Sequence, residues 1–172
     1  MNILTEEQGS GNVSPITGRT QSSELQREIP GPDYFVKVPD GEYIAEFIGS
    51  VGFFYRGRGP KVALWFVISD GSCTGERVAA FCNVRSIEAK RGQRIESPRF
   101  TVGWGADLTT YLGTLFPDWY SPKELPTAVP LVEMMERGIV IRTRTVIKSH
   151  SGQERPDAFK NSVVDAVLGW AE

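Results

Sequence analysis

Residues 42–85 read EYIAEFIGSVGFFYRGRGPKVALWFVISDGSCTGERVAAFCNVR. Runs of β-branched and aromatic residues alternate with Gly-rich and Asp-Gly turns, which predicts three consecutive strands at 42–55, 61–69 and 76–84. Gly49 and Gly52 interrupt the first run, and glycines inside a long strand indicate a bulge or a bend. The stretch therefore predicts an antiparallel meander with a bent first strand.

The two faces of this meander differ in chemistry, because successive side chains of a strand point to opposite faces. One face collects the apolar residues Tyr43, Ala45, Phe47, Val51, Val62, Leu64, Phe66, Ile68, Val78, Ala80, Cys82 and Val84. The other face collects Lys61, Trp65, Arg77, Phe81 and Arg85. Flat rings beside cations are suited to stacking on the bases and neutralising the phosphates of a single nucleic-acid strand.

The remainder of the chain supplies one helix and two further strands. Apolar spacing predicts a helix at 104–116, which a Pro-rich connection at 117–130 follows. Residues 139–148 alternate as a strand, with Arg142 and Arg144 on one face. Residues 159–170 fit either a helix or a strand, and a strand is favoured because it completes a five-stranded fold.

This element order predicts a mainly β protein, a five-stranded Greek-key OB-like barrel with one helix between strands three and four. An open α+β sheet is the alternative. Residues 1–33 are predicted to form a flexible, acidic, disordered tail, because they hold few large apolar residues, and residues 34–172 a single domain. The loops at 56–61 and 150–156 would be the two lips of the binding surface.

Several short motifs carry a resemblance to a known family. Gly41-Glu42-Tyr43, Asp70-Gly71, Gly75-Glu76-Arg77 and Phe81-Cys82-Asn83-Val84 follow one another in the meander. Over residues 40–116 the chain resembles small OB-fold-like single-stranded DNA-binding proteins encoded by phages, plasmids and integrative elements. The resemblance implies a role in replication or recombination of a mobile genetic element, with single-stranded DNA and a replication or recombination protein as partners. It leaves the oligomeric state open.

Charge is distributed in blocks, although the net charge is only −2. Residues 53–100 hold nine Lys/Arg against four Asp/Glu, and residues 137–160 hold six against two. Such blocks indicate a localised anion-binding surface. The candidate nucleic-acid-binding residues are Tyr55, Arg56, Arg58, Lys61, Trp65, Arg77, Phe81, Arg85, Lys90, Arg91, Arg94, Arg142, Arg144 and Lys148.

Three of these candidates also have a structural role as an alternative to binding. Trp65 would be buried in a second small core if residues 85–103 covered the outer face. Arg142 and Arg144 would be exposed or paired with acids rather than facing a ligand. At the level of function, the alternative is a protein–protein adaptor or inhibitor from a mobile element, acting on a host replication or defence protein through the aromatic face. The overall negative charge favours that alternative.

Nothing in the sequence indicates an enzyme. The single histidine, His150, lies in a polar loop, and no phosphate-binding loop ending in Gly-Lys-Ser/Thr is present. The two cysteines, Cys73 and Cys82, have no further cysteine or histidine at the spacing of a zinc site. We therefore predict no catalytic residues, no metal and no cofactor. Two isolated cysteines fit a reducing cytoplasm, and no apolar run is long enough to cross a bilayer.

Overall fold

The computed structural model describes residues 27–54, 57–103, 106–119, 129–135 and 137–172. Among these residues it contains eight strands: β1 Gly41–Phe54, β2 Pro60–Ile68, β3 Arg77–Asn83, β4 Ser86–Ile87, β5 Arg94–Glu96, β6 Phe100–Thr101, β7 Ile139–Val146 and β8 Asn161–Trp170. The same residues form one α-helix, α1 Asp107–Leu115, and three 3₁₀ turns at Gly71–Cys73, Glu133–Met135 and Asp157–Phe159.

Six of the strands form an antiparallel sheet in the order β3-β2-β1-β7-β8, with β5 pairing to β1, and β4 pairs with β6 in a separate two-stranded sheet. The long strand β1 pairs with β2 along most of its length, and its other edge is shared by two partners. Residues 41–45 pair with β7, and residues 51–53 pair with β5. The predicted strands and helix are confirmed in type and in order, and residues 159–170 contain a strand rather than a helix.

A bulge divides β1 into these two halves. Phe47 lies opposite Phe66, and the next pair is Gly49 with Trp65, so two residues of β1 oppose one of β2. Gly49 has φ 148°, a value that side-chain-bearing residues rarely adopt. The predicted bulge is confirmed. It also reverses the alternation, so the prediction that Val51 shares a face with Ala45 and Phe47 is wrong: Val51 packs on the outer side of the sheet.

The main core lies between the inner face of the sheet and α1. The predicted apolar faces of β2 and β3 are confirmed, since Leu64, Phe66 and Val78 are fully buried. Leu108, Leu112 and Leu115 form the buried side of α1. Full burial of a side chain of this size contributes about 1.5–3 kcal/mol, so this layer stabilises the relative positions of the strands that carry the site.

The helix lies between the two ends of the sheet, with Cα atoms within 8 Å of both β3 and β8. Those two strands also approach each other within 8 Å, but no ladder joins them in the described part of the chain. The basic stretch at 85–99, for which the sequence predicts no strands, supplies β4 and β5. Within the described ranges, no helix has the length and apolarity to cross a membrane.

Residues 27–33 belong to the packed domain rather than to the predicted tail. The side chain of Ile29 packs against the buried cluster on the outer face of the sheet, which includes Val51 and Trp65. The Arg27 guanidinium lies 3.1 Å from the Glu46 carboxylate. The prediction of a flexible tail for residues 1–26 lies outside the described residues.

Candidate nucleic-acid interface

A groove of about 730 Å³ runs between the two loops that the sequence predicts as lips. One wall comes from the hairpin between β1 and β2 and from β3. The opposite wall comes from β7, β8 and the loop at 149–156. Five cationic side chains line the groove, namely Arg58, Lys61, Arg144, Lys148 and Arg155. Two carboxylates, those of Asp107 and Asp165, also line it, so the lining has a net charge of +3 at neutral pH with His150 uncharged.

An aromatic pair forms the apolar part of this groove. Phe81 projects from β3 with 45% of its surface exposed. Its ring meets that of Phe53 edge to face, with centroids 6.3 Å apart. Beside the pair, Lys61 Nζ donates a hydrogen bond to Asn83 Oδ1 at 2.7 Å. The exposed ring and the nearby ammonium are therefore held on adjacent strands, as the alternation in β2 and β3 predicts.

Asp165 on β8 organises the two arginines of β7. Arg144 Nε donates to Asp165 Oδ1 at 2.7 Å, and Arg142 Nη2 donates to Oδ2 at 3.2 Å. Both guanidiniums remain about half exposed, so one carboxylate is shared by two cations and the trio keeps a charge of +1. Arg144 lines the groove, whereas Arg142 does not. The prediction favoured ligand-facing arginines over exposed or acid-paired ones; both residues pair with an acid and stay partly exposed, and only Arg144 faces the groove.

Tyr111 of α1 lies at the floor of the groove. Its hydroxyl donates to the backbone carbonyl of Asp165 at 3.1 Å. Burial, followed by the nearby Cys82, Asp107 and Asp165, raises the pKa of Tyr111 to about 12. The phenol therefore stays neutral near pH 7, and its hydrogen bond holds the backbone of β8 in place at Asp165.

The second lip is a tight polar turn that carries Arg155. Ser149 N donates to Gln153 O at 2.7 Å, and Arg155 N donates to Ile147 O at 2.8 Å. Arg155 Nη1 donates to Asn161 Oδ1 at 3.1 Å, which directs the guanidinium along the groove wall. Sequence reasoning placed the lip here but omitted Arg155. Its positive charge inside a predicted binding loop was the available signal.

Trp65 does not present its ring to solvent. Only 7% of its surface is exposed, and Tyr34 packs against it edge to face at 6.0 Å. The prediction of an exposed stacking ring at this position is therefore wrong. The second-core alternative describes its surroundings, although the segment that covers the ring is 29–34 rather than the predicted 85–103.

Two of the predicted cations hold this covering segment in place. Arg77 Nη1 donates to Glu28 O at 3.0 Å, and its guanidinium lies 5.0 Å from the centroid of the Tyr34 ring. Arg94 Nη2 donates to Pro30 O. Both arginines therefore lie on the outer side of the sheet, and neither lines the groove.

The remaining candidates are also outside the groove. Arg85, Lys90 and Arg91 are exposed, and none of them is among the residues that line it. Tyr55 and Arg56 lie outside the described residues. The structure thus brings together Arg58, Lys61, Phe81, Arg144 and Lys148 from the predicted set, and adds Phe53, Tyr111 and Arg155.

Comparison with known proteins identifies no relative: no family model, curated protein or solved structure matches this chain. Across the described residues, no group of three or more His, Cys, Asp and Glu side chains is arranged to hold a metal ion.

Proposed function

We propose that this groove binds single-stranded DNA with little sequence preference. The observation that carries the proposal is the position of the half-exposed Phe81 ring in the same groove as Lys61, Arg144, Lys148 and Arg155. A ring stacks on any base, and cations follow a phosphate backbone whatever its sequence. The protein acts by binding, and no catalytic step is assigned to it.

The arrangement of charge supports a localised interaction rather than a general affinity for polyanions. The whole chain has a net charge of −2, whereas the groove lining has an excess of three positive charges. Charged groups separated by more than about 10 Å are largely screened at 0.1 M salt. A strand within the groove therefore interacts mainly with the local cations, and the acidic remainder of the surface disfavours binding elsewhere.

The finer fold that we propose is an OB-like barrel. The order β1-β2-β3, then α1, then β7 and β8 supports it, as does the approach of β3 to β8. In an OB fold, the loops between the first two and the last two strands flank the ligand. The groove lies between the corresponding loops here. The resemblance noted in residues 40–116 suggests a setting in replication or recombination of a mobile genetic element.

A second candidate function is docking of a protein partner. Phe35 and Phe159 form an edge-to-face pair at 5.9 Å, and they are 46% and 54% exposed. Phe35 also lines the groove, and exposed apolar patches mark candidate protein-binding surfaces. In this alternative the protein is an adaptor or inhibitor, and it forms a stable complex with a protein but not with an oligonucleotide.

An equilibrium titration separates the two candidates. Fluorescently labelled oligo-dT of about 16 nucleotides, the upper size range for one OB fold, is titrated at low and at physiological salt. We expect saturable binding that weakens steeply with salt, because bound phosphates release counterions. The double variant Arg144→Ala/Lys148→Ala should bind more weakly, while Arg99→Ala, outside the groove, should not. Absence of binding at low salt would refute the proposal.

A further inference from the structure

A second cavity, the outer cavity, has a volume of about 410 Å³ and lies between the outer face of the sheet and segment 29–34. Its walls are mainly apolar and include Val51, Phe53, Ala63, Trp65, Ala79 and Phe81. The volume lies in the lower part of the roughly 300–1,000 Å³ that is usual for small-molecule sites. Size and lining are therefore those of a site for a small, largely apolar ligand.

The charge in the lining of the outer cavity is entirely positive. Arg77 and Arg94 contribute guanidiniums, and no Asp or Glu is among the described residues that line it. Neither guanidinium forms an ion pair with a carboxylate in the described part of the chain. An apolar surface thus carries two positive charges with no compensating anion among these residues, which favours a ligand that is itself an anion.

Both guanidiniums donate to neutral carbonyls, and they do so close together. Arg77 Nη1 donates to Glu28 O at 3.0 Å, and Arg94 Nη2 donates to Pro30 O. Carbonyls two residues apart lie within about 7 Å of each other, so both cations are at the end of the cavity that this segment lines. Each guanidinium has five N–H donors, and the described residues accept from one donor of each. The other donors can bind an anion, to which a hydrogen bond is roughly twice as strong as to a neutral acceptor.

We propose that the outer cavity binds a small carboxylate with an apolar tail, of which a medium-chain fatty acid is the simplest case. The carboxylate accepts from Arg77 and Arg94, and the tail packs against the walls at Ala63 and Ala79. Trp65 contributes only the apolar surface of its ring, because its Nε1 is buried. An alkyl tail suits such walls because it needs no polar partner. The inference does not depend on the proposed function, since neither arginine lines the groove.

Decanoate and decan-1-ol test the proposal, because they share an alkyl tail and differ in charge near pH 7. Calorimetric titration of the full chain with each compound gives the two affinities. We expect decanoate to bind at least about fivefold more tightly, the effect of one pair of unit charges at contact distance in water. Equal affinities for the two compounds, or binding of neither, would overturn the proposal.

Variants of the two arginines separate recognition of charge from support of the segment. Glutamine keeps a donor for the backbone carbonyl and removes the charge. Arg77→Gln and Arg94→Gln should each lower the affinity for decanoate several-fold and leave that for decan-1-ol unchanged. Arg99→Gln, at a residue that lines a different cavity, should alter neither. An equal loss of both affinities in Arg94→Gln would show a structural role only and would overturn the assignment.

Quenching of tryptophan fluorescence locates the ligand. Trp65 lies in the cavity wall, and a bromine atom quenches the fluorescence of a tryptophan that it contacts. Brominated decanoate should therefore quench the wild-type protein, and this quenching should be lost in Trp65→Phe, which keeps an apolar ring in the wall. Quenching that persists in Trp65→Phe would place the ligand elsewhere and overturn the proposal. The groove variant Arg144→Ala/Lys148→Ala should still bind decanoate, and loss of binding there would assign the anion to the groove instead.

Discussion

Phe53 and Phe81 meet edge to face with their ring planes at 80° and their centroids 6.3 Å apart. They project from strands that are not neighbours, and β2 lies between them with the small Ala63 opposite Phe81. A larger residue at 63 would separate the two rings. The pair therefore forms a fixed aromatic ridge in the lining of the basic groove.

Removal of the exposed ring of this pair tests its contribution to binding. Phe81→Ala should weaken oligo-dT binding by roughly 1–3 kcal/mol, the contribution of one stacked base. Because Phe81 is about half exposed, the fold should tolerate the change. Fluorescence anisotropy gives the affinity, and Val132→Ala, at a position that is 72% exposed, is the matched control. Equal affinities of Phe81→Ala and the wild type would show that the ridge does not contact the strand.

Neutralising the carboxylate of Asp165 should strengthen the binding of oligo-dT. Asp165→Asn removes a negative charge from the groove and releases Arg142 and Arg144 from their shared carboxylate. A charge removed at contact distance in water corresponds to about 1 kcal/mol, or roughly a fivefold higher affinity for oligo-dT at low salt. Asp118→Asn, which makes the same change in net charge outside the groove, should have no such effect. Weaker binding by Asp165→Asn would contradict the electrostatic account.

The salt dependence of binding should show whether an individual cationic side chain contacts a phosphate. Each phosphate contact contributes about 0.9 to the slope of log affinity against log salt for duplex DNA and about 0.7 for single strands. Arg155→Ala should therefore reduce the slope by roughly one contact. The measurement is a titration at several salt concentrations, with Arg99→Ala as the control. An unchanged slope would place Arg155 outside the contact surface.

Gly52 tests the packing that joins β1 to the β4–β5 region. A Cβ at this position would lie 2.8 Å from Pro98 Cγ and would also collide with Ile87 Cδ1. Gly52→Ala should therefore lower the free energy of unfolding by roughly 1–3 kcal/mol, as overpacking does. Urea denaturation measures the change. Gly59→Ala, where the added Cβ meets open space, should be nearly neutral, and an equal loss in both variants would contradict the close packing.

Cys82 should make stability depend on pH in the alkaline range. Burial, with a further contribution from Asp107, raises the pKa of its thiol from 9.0 to about 12. The unfolded chain therefore loses this proton first, so the contribution to stability is intact below about pH 9 and is lost as pH rises towards 12, by about 1.4 kcal/mol per pH unit at most. Urea denaturation at about pH 8 and pH 10 should show a smaller fall for Cys82→Ala. Identical falls in both proteins would refute the assignment.

The sequence predicts what depends on local alternation. Leu64, Phe66, Val78 and Cys82 follow a strict period of two, and all are buried on the inner face. The alternation fails at Val51, because the bulge between Phe47 and Gly49 adds one residue to β1. Every side chain of β1 after the bulge therefore points to the face opposite the predicted one. Gly49 indicated that a bulge would occur, but not at which residue the faces would exchange.

The sequence predicts which two loops flank the groove, but it does not predict which side chains are exposed and which are paired. Trp65 has the alternation of an exposed residue, and only the path of segment 29–34, distant in sequence, buries it. Arg142 and Arg144 could be assigned to one face of β7, but their shared partner depends on the register between β7 and β8. That register contains two irregularities, and the sequence does not give the residues that pair across them.

Photochemical cross-linking tests the central claim most directly, because it locates the bound strand. An oligo-dT carrying bromodeoxyuridine is bound at low salt, irradiated, and the cross-linked residues are identified by mass spectrometry. Cross-links should fall on Phe53, Phe81, Tyr111 and His150, which line the groove. A separate cavity, lined by Phe116, Trp119 and Trp170, provides an aromatic comparison elsewhere on the surface. Cross-links confined to that cavity would contradict the account.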